Sequence, residues 1–287
     1  MLLRLGYNLS YHFIQPTPMV LMLDFHPSRQ ADLVDQRPLS FSPPLPSQQF
    51  SDAFGNHCTR VLAPAGRLDL HADAIISDSG LPDRLSPHAR QLPVEQLPHD
   101  TLLFLRGSRY CETDLLVQHA WDLFGHTQPG WERVQAICDH VHHSIRFGYD
   151  FADATRGAYA ALEHGRGVCR DFAHAAITLC RCMNIPARYC TGYLGDIGVP
   201  VSDAPMDFSA WFEVWLDGEW HSFDARHNQP RIGRVLIARG RDAADVAISS
   251  TFGPNTLEHF QVWTIETDRT ALDSGPGPEA GMPLVAH

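Results

Sequence analysis

Alternation of apolar and polar positions dominates the first quarter of the chain. The segment LRLGYNLSYHF, residues 3–13, alternates imperfectly, and MVLMLDFHP, residues 19–27, is a short apolar run that ends at a proline. NHCTRVLAPAGRLDLHADAII, residues 56–76, holds two strand-like runs joined by a proline and glycine turn. This pattern predicts β-strands over residues 2–76. Residues 36–48 are rich in proline, which predicts an exposed loop.

Helical spacing replaces this alternation near residue 110. ETDLLVQHAWDLFG, residues 112–125, and GWERVQAICDHVHHSI, residues 130–145, carry apolar residues at helical spacing after turn residues. A third helix is predicted to begin near Cys169 and to end before Pro186. The segments that follow are strand-like. Helices followed by antiparallel strands predict an α+β fold and not alternating β and α units.

These patterns divide the chain into three predicted parts. Residues 1–100 form a mostly β N-terminal domain, in which residues 77–100 are an irregular connection with several prolines. Residues 101–270 form the core. Residues 271–287 are rich in glycine and proline and form a flexible tail.

Composition and charge exclude several function classes. The chain has 287 residues, 44% of them hydrophobic, which is enough for a normal buried core. A net charge of -11 without a basic block argues against a nucleic-acid partner. No apolar run approaches the ~18 residues that a membrane helix needs, so no membrane association is expected.

The cysteines and histidines point to a cytoplasmic protein without a metal. The first residues lack the features of a signal peptide, and the seven cysteines are scattered, so free thiols in a reducing cytoplasm are expected. The 17 histidines show no metal-finger spacing, and no stretch matches a calcium loop. We therefore predict neither a metal nor a cofactor.

The stretch GRGVCRDFAH, residues 165–174, offers a candidate nucleophile in Cys169. The helix that begins there presents unpaired N–H groups, which favour a thiolate and could bind a developing oxyanion. Gly165 and Gly167 allow a close approach of the backbone. The competing hypothesis is that Cys169 is a small packed residue like the other cysteines.

A β-hairpin further along the chain supplies the candidate partners. AWFEVWLDGEWHSFDAR, residues 210–226, has Asp217 and Gly218 as its turn. Pairing outward from this turn places Ser209 and Asp224 on one face as diagonal neighbours. A base at position 209 and an acceptor at position 224 would therefore be correctly placed, but position 209 is serine.

These segments resemble the transglutaminase-like superfamily, and most closely bacterial members with a β-rich N-terminal domain. The resemblance is carried by FGN (54–56), SRYCETD (108–114), the cysteine motif with NIPARYCTGYLGD (184–196), AWFEVW (210–215) and the segment from FDARHN to ADVAI (223–248). It implies a papain-like core with a helical part and an antiparallel sheet. It also implies a Cys-His-Asp triad, in which Cys169 is the nucleophile and Asp224 the orienting acid.

The chain departs from the resembled triad at Ser209, which stands where the superfamily has histidine. A serine hydroxyl cannot accept and return a proton at neutral pH as imidazole does. Among possible substitutes, His221 should face the other side of the strand, and His174 lies about 140° around the helix from Cys169. His227 lies past the expected strand end, so its direction stays open.

Three interpretations of Ser209 follow: an engineered silencing substitution, a natural change to a non-catalytic binding module, or slow residual turnover. The resemblance implies attack by Cys169 on an amide or ester carbonyl to give a thioester. Hydrolysis of a peptide or protein substrate, impaired by Ser209, is our leading expectation, and transamidation is second. For a peptide-binding module, arginines after the hairpin could line the cleft, or they could pair with Asp242 and Asp245. The sequence leaves the oligomeric state open.

Overall fold

The computed structural model describes residues 1–202 and 204–272. The strands are β1 (Leu2–Phe13), β2 (Thr17–Leu21), β3 (Leu33–Ser42), β4 (Ser47–Ser51), β5 (His57–Ala63), β6 (Gly66–Ser77), β7 (Arg146–Phe147), β8 (Arg166–Gly167), β9 (Ala187–Tyr193), β10 (Ser209–Leu216), β11 (Glu219–Phe223), β12 (Val235–Gly240), β13 (Ser249–Thr251) and β14 (Asn255–Thr267). The α-helices are α1 (Thr113–Phe124), α2 (Trp131–Ser144), α3 (Ala158–His164) and α4 (Cys169–Cys182). Short 3-10 helices span Pro27–Asp32, Val94–Gln96, His99–Leu105 and Tyr149–Phe151.

The N-terminal region is β-rich, as expected, and consists of two antiparallel sheets. Their strand orders are β14-β1-β6-β3 and β13-β2-β5-β4. Along β1 the side chains at odd positions are buried, which gives the strand its period of two. These residues are Leu3, Leu5, Tyr7, Leu9, Tyr11 and Phe13.

The helical part and a third sheet form the core that the cysteine motif belongs to. This sheet has the order β11-β10-β9-β12 and is antiparallel. Helix α4 packs on β9, β10 and the other three α-helices, and it is buried along almost its whole length. The mixed α+β class with an antiparallel sheet is confirmed. Among the described residues, no helix is long and apolar enough to cross a membrane.

The last two strands, β13 and β14, lie within residues 101–270 and pair with strands of the N-terminal region. Strand β14 pairs with β1 over its whole length, from Leu2 opposite Thr267 to Phe13 opposite Asn255, and β13 pairs with β2. Strand β1 carries pairing groups on both edges, and β6 covers only one of them. The C-terminal strands therefore complete the N-terminal sheets. The predicted flexible tail, apart from its first two residues, lies outside the described residues.

The exposed loop predicted at residues 36–48 is wrong for much of its length, because strands β3 and β4 occupy its two ends. Strand β3 passes through Pro38 and lies at the edge of its sheet. Its pairing with β6 shifts register between Arg37 and Ser40, on either side of the proline. An edge strand tolerates proline because one side of its backbone needs no partner.

Arg181 fixes the C-terminal end of α4 in the core. Its side chain is 3% exposed and donates hydrogen bonds to the carbonyl oxygens of Ala187 (3.1 and 2.9 Å), Arg106 (2.9 Å) and Arg241 (2.6 Å) and to Ser108 Oγ (3.1 Å). One buried guanidinium thus joins the helix to three other segments of the chain.

We predict that Arg181→Met lowers the free energy of unfolding by more than about 3 kcal/mol, because several buried carbonyl oxygens lose their donor. Urea unfolding measures the effect. The matched control is Arg106→Met, whose side chain is exposed and should change the same quantity by less than about 0.5 kcal/mol. Equal losses in the two variants would contradict this role of Arg181.

Candidate functional site

Cys169 is the first residue of α4, as predicted, and it is partly exposed. The other six cysteines, all within the described residues, are buried. The carboxylate of Asp171 turns back to accept a hydrogen bond from the Val168 N–H at 2.8 Å and pairs with Arg156 at 3.3 Å. A Cβ at Gly167 would lie 2.5 Å from that carboxylate, so glycine is required there. The local sequence thereby sets the start of the helix and the position of the thiol.

The surroundings of the thiol keep it protonated. Burial raises the pKa of Cys169 to about 11, and the charges of Asp207 and Asp224 act in the same direction. The guanidinium of Arg226 and the Ala210 N–H, which bonds to the sulfur, lower the pKa by less than this. The expected net lowering by the helix start is therefore wrong, because desolvation is the larger effect. Attack by this sulfur requires a base.

The hairpin has the predicted register. Leu216 lies opposite Glu219, and the pairing continues to Phe212 opposite Phe223. Ser209 begins β10, is 8% exposed, and faces Gly192 of β9. The structure thus brings Ser209 to the cavity that Cys169 faces.

Asp224 follows β11 directly and organises the turn after it. Its carboxylate accepts hydrogen bonds from the backbone N–H groups of Arg226 and His227, both at 3.0 Å, from Arg234 Nη2 at 2.9 Å and from His227 Nδ1 at 2.8 Å. Burial alone would raise the pKa of this carboxyl, but Arg234 and His227 hold it well below its usual range. Asp224 is therefore a buried anion that is hydrogen-bonded to the His227 imidazole.

His227 is the functional candidate that the sequence left undecided. Its side chain is 20% exposed, and it lines the same cavity as Cys169 and Ser209. Strand β11, with its alternating side chains, ends at Phe223. The turn that follows is held by Asp224 and brings His227 back to the Asp224 carboxylate. An aspartate three residues before a histidine at a strand end was the available signal.

The other two histidines point elsewhere, as predicted. His221 lies opposite Val214, and its Nε2 is 3.2 Å from the Leu216 carbonyl oxygen. His174 is buried, and its Nε2 accepts a hydrogen bond from the Ala243 N–H at 3.1 Å.

The arginines after the hairpin line the cavity, form ion pairs, or do both. Arg226 and Arg231 line the cavity beside Cys169. Ion pairs join Arg231 to Asp196, Arg234 to Asp83 and Asp224, Arg239 to Glu213, and Arg241 to Asp245, and the last of these involves an aspartate expected from the sequence.

Cys169 lies on the wall of two adjoining cavities. The first, of about 310 Å³, carries His227 and Ser209 together with carboxylates, of which Asp196, Asp207 and Glu266 are examples. The second, of about 400 Å³, is mainly apolar and reaches the N-terminal sheets. We call them the polar cavity and the apolar cavity.

Comparison with known proteins gives a family and one close structural relative. The model of the transglutaminase-like superfamily matches residues 120–225. The crystal structure of a candidate cysteine protease from Cytophaga hutchinsonii is 30% identical, covers 94% of this chain and 92% of its own, and superposes with a TM-score of 0.79.

Two curated relatives come from mycobacteria, and both are described as uncharacterised proteins. A Mycobacterium leprae protein is 33% identical over 108 residues, which are 34% of this chain and 37% of the relative. A Mycobacterium tuberculosis protein is 28% identical over 143 residues, 47% of this chain and 46% of the relative. The chain spans less than half the length of these curated relatives.

We predict that alkylation of Cys169 by iodoacetamide rises about tenfold per pH unit between about pH 7 and pH 10 without a plateau, because only the thiolate reacts. Mass spectrometry of the peptide that contains Cys169 measures the rate. The same cysteine in unfolded protein is the control and should level off above about pH 9. A plateau below about pH 8 in the folded protein would contradict the raised pKa.

Proposed function

This chain belongs to the transglutaminase-like superfamily, and we propose that it is a cysteine hydrolase that cleaves amide bonds of peptides or proteins. The observation that carries the proposal is the 2.8 Å hydrogen bond between His227 and Asp224, in a cavity that Cys169 also faces. A thiol, an imidazole and a buried carboxylate are the three groups that thioester chemistry needs.

The proposed reaction uses His227 as the base. Because Nδ1 of His227 is held by Asp224, Nε2 is the ring nitrogen that takes the proton of the Cys169 thiol. The sulfur attacks the carbonyl carbon, and the N–H groups at the start of α4 stabilise the oxyanion. The imidazolium then protonates the leaving amine, and a thioester remains on Cys169.

Hydrolysis of the thioester closes the cycle. His227 removes a proton from water, the hydroxide attacks the thioester carbonyl, and the sulfur leaves and regains a proton from the imidazolium. The buried charge of Asp224 stabilises each imidazolium as it forms. Every proton that His227 accepts is returned, so the site ends as it began.

Ser209 acquires a different meaning in this proposal. The sequence left the direction of His227 open, and its imidazole lies within hydrogen-bond distance of Asp224. We propose that His227, in the turn after β11, supplies the base. Ser209 then stands at the position where the superfamily has its histidine, without acting as the base. If His227 did not act as the base, Ser209 would favour a peptide-binding module without turnover.

Transamidation is the second candidate because the polar cavity is rich in carboxylates. Asp196, Asp207 and Glu266 outnumber Arg226 and Arg231 on the wall of this cavity and would attract the ammonium group of an acceptor amine. Adding a lysine analogue and measuring the ratio of amide to acid product separates the two reactions.

We propose a cytoplasmic location for the protein. All seven cysteines are free thiols, and six are buried. Free thiols are the usual state in a reducing compartment.

We predict that His227→Gln lowers kcat on a chromogenic peptide amide by about 10²- to 10⁴-fold, because it removes the general base. His143→Gln changes an exposed histidine and is the matched control, with kcat unchanged. The double variant His227→Gln with Ser209→His should regain at least about tenfold over His227→Gln alone, because an imidazole returns. A His227→Gln variant with wild-type kcat would contradict the assignment of the base.

A further inference from the structure

The apolar cavity joins the core to the N-terminal sheets at the nucleophile. Core residues and residues of β1 and β14 share its wall with Cys169. Six of its lining residues are Tyr11, Tyr189, Ala210, Ala247, Leu257 and Phe260. Residues from both ends of the chain therefore meet within reach of the reacting sulfur.

Most polar groups on this wall have hydrogen-bond partners within the protein. The Asp207 carboxylate, which lines both cavities, accepts a hydrogen bond from the Phe208 N–H. The hydroxyl of Tyr11 lies 2.8 Å from Ser249 Oγ, and the Asp153 carboxylate accepts hydrogen bonds from the Thr155 N–H and hydroxyl at 2.9 and 2.7 Å. The Arg170 guanidinium bonds to the Asp153 carbonyl oxygen. What these residues leave for a ligand is mainly apolar surface.

The position of His227 decides which part of the substrate enters each cavity. His227 and Ser209 line the polar cavity, and the described lining of the apolar cavity includes neither. The imidazole must protonate the leaving amine and later activate water, so the amine departs and water arrives on the polar side. The acyl part of the substrate is left with the apolar side.

We infer that the apolar cavity is the acyl-side specificity pocket and that it selects substrates with a bulky apolar side chain on the residue that supplies the scissile carbonyl. This inference rests on the proposed hydrolase function. A volume of about 400 Å³ can hold a phenylalanine side chain, and burial of an apolar side chain supplies the selectivity. The N-terminal sheets then take part in substrate recognition.

The test compares acetylated amino-acid p-nitroanilides that differ only in the acyl residue. The wild-type protein should cleave the phenylalanine substrate with a kcat/KM at least about tenfold above those for alanine and glutamine. Phe260→Ala opens the cavity and Ala247→Phe fills it, so both should reduce the ratio for phenylalanine over alanine by at least about fivefold. Phe252→Ala removes an exposed phenylalanine of the same region and should leave the ratio unchanged.

A binding measurement separates this inference from the proposed chemistry. The Cys169→Ala variant should bind N-acetyl-phenylalaninamide with a Kd at least about tenfold below that of the alanine analogue, as measured by calorimetry. Selective binding without cleavage by the wild-type protein would support the pocket and overturn the hydrolase. Cleavage with a ratio that neither Phe260→Ala nor Ala247→Phe changes would overturn the pocket and support the hydrolase.

Discussion

The hydrogen bonds of the Asp224 carboxylate are the interaction on which the candidate site depends. Its four hydrogen bonds hold the turn after β11, the Arg234 guanidinium and the His227 imidazole. A buried carboxylate is stable as an anion only when such donors surround it. The same hydrogen bonds therefore stabilise the turn and orient His227, the proposed base.

The raised pKa of Cys169 explains why the proposed chemistry needs the His227 imidazole. Desolvation keeps the sulfur protonated, so neither the helix start nor Arg226 makes it a standing thiolate. A protonated nucleophile depends on a group that takes its proton when substrate is bound. A fixed cation such as Arg226 cannot do this, whereas an imidazole held at one nitrogen can.

The sequence predicted those parts of the fold and site that are decided by local geometry. The hairpin register follows from its Asp217-Gly218 turn, and the start of α4 follows from the glycines before Cys169. Pairing between β1 and β14 could not be predicted, because it joins residues more than two hundred positions apart. The direction of His227 could not be predicted either, because strand alternation stops at Phe223 and the turn beyond it depends on the protonation and burial of Asp224.

Trapping of the thioester on the chain that carries Ser209 tests whether Cys169 and His227 act together. The protein is mixed with a p-nitrophenyl ester of N-acetyl-phenylalanine, quenched in acid, and digested for mass spectrometry. We predict an acyl adduct on the peptide that contains Cys169, absent from Cys169→Ala and much reduced in His227→Gln. An adduct that forms only after Ser209→His, and never with serine at that position, would contradict it.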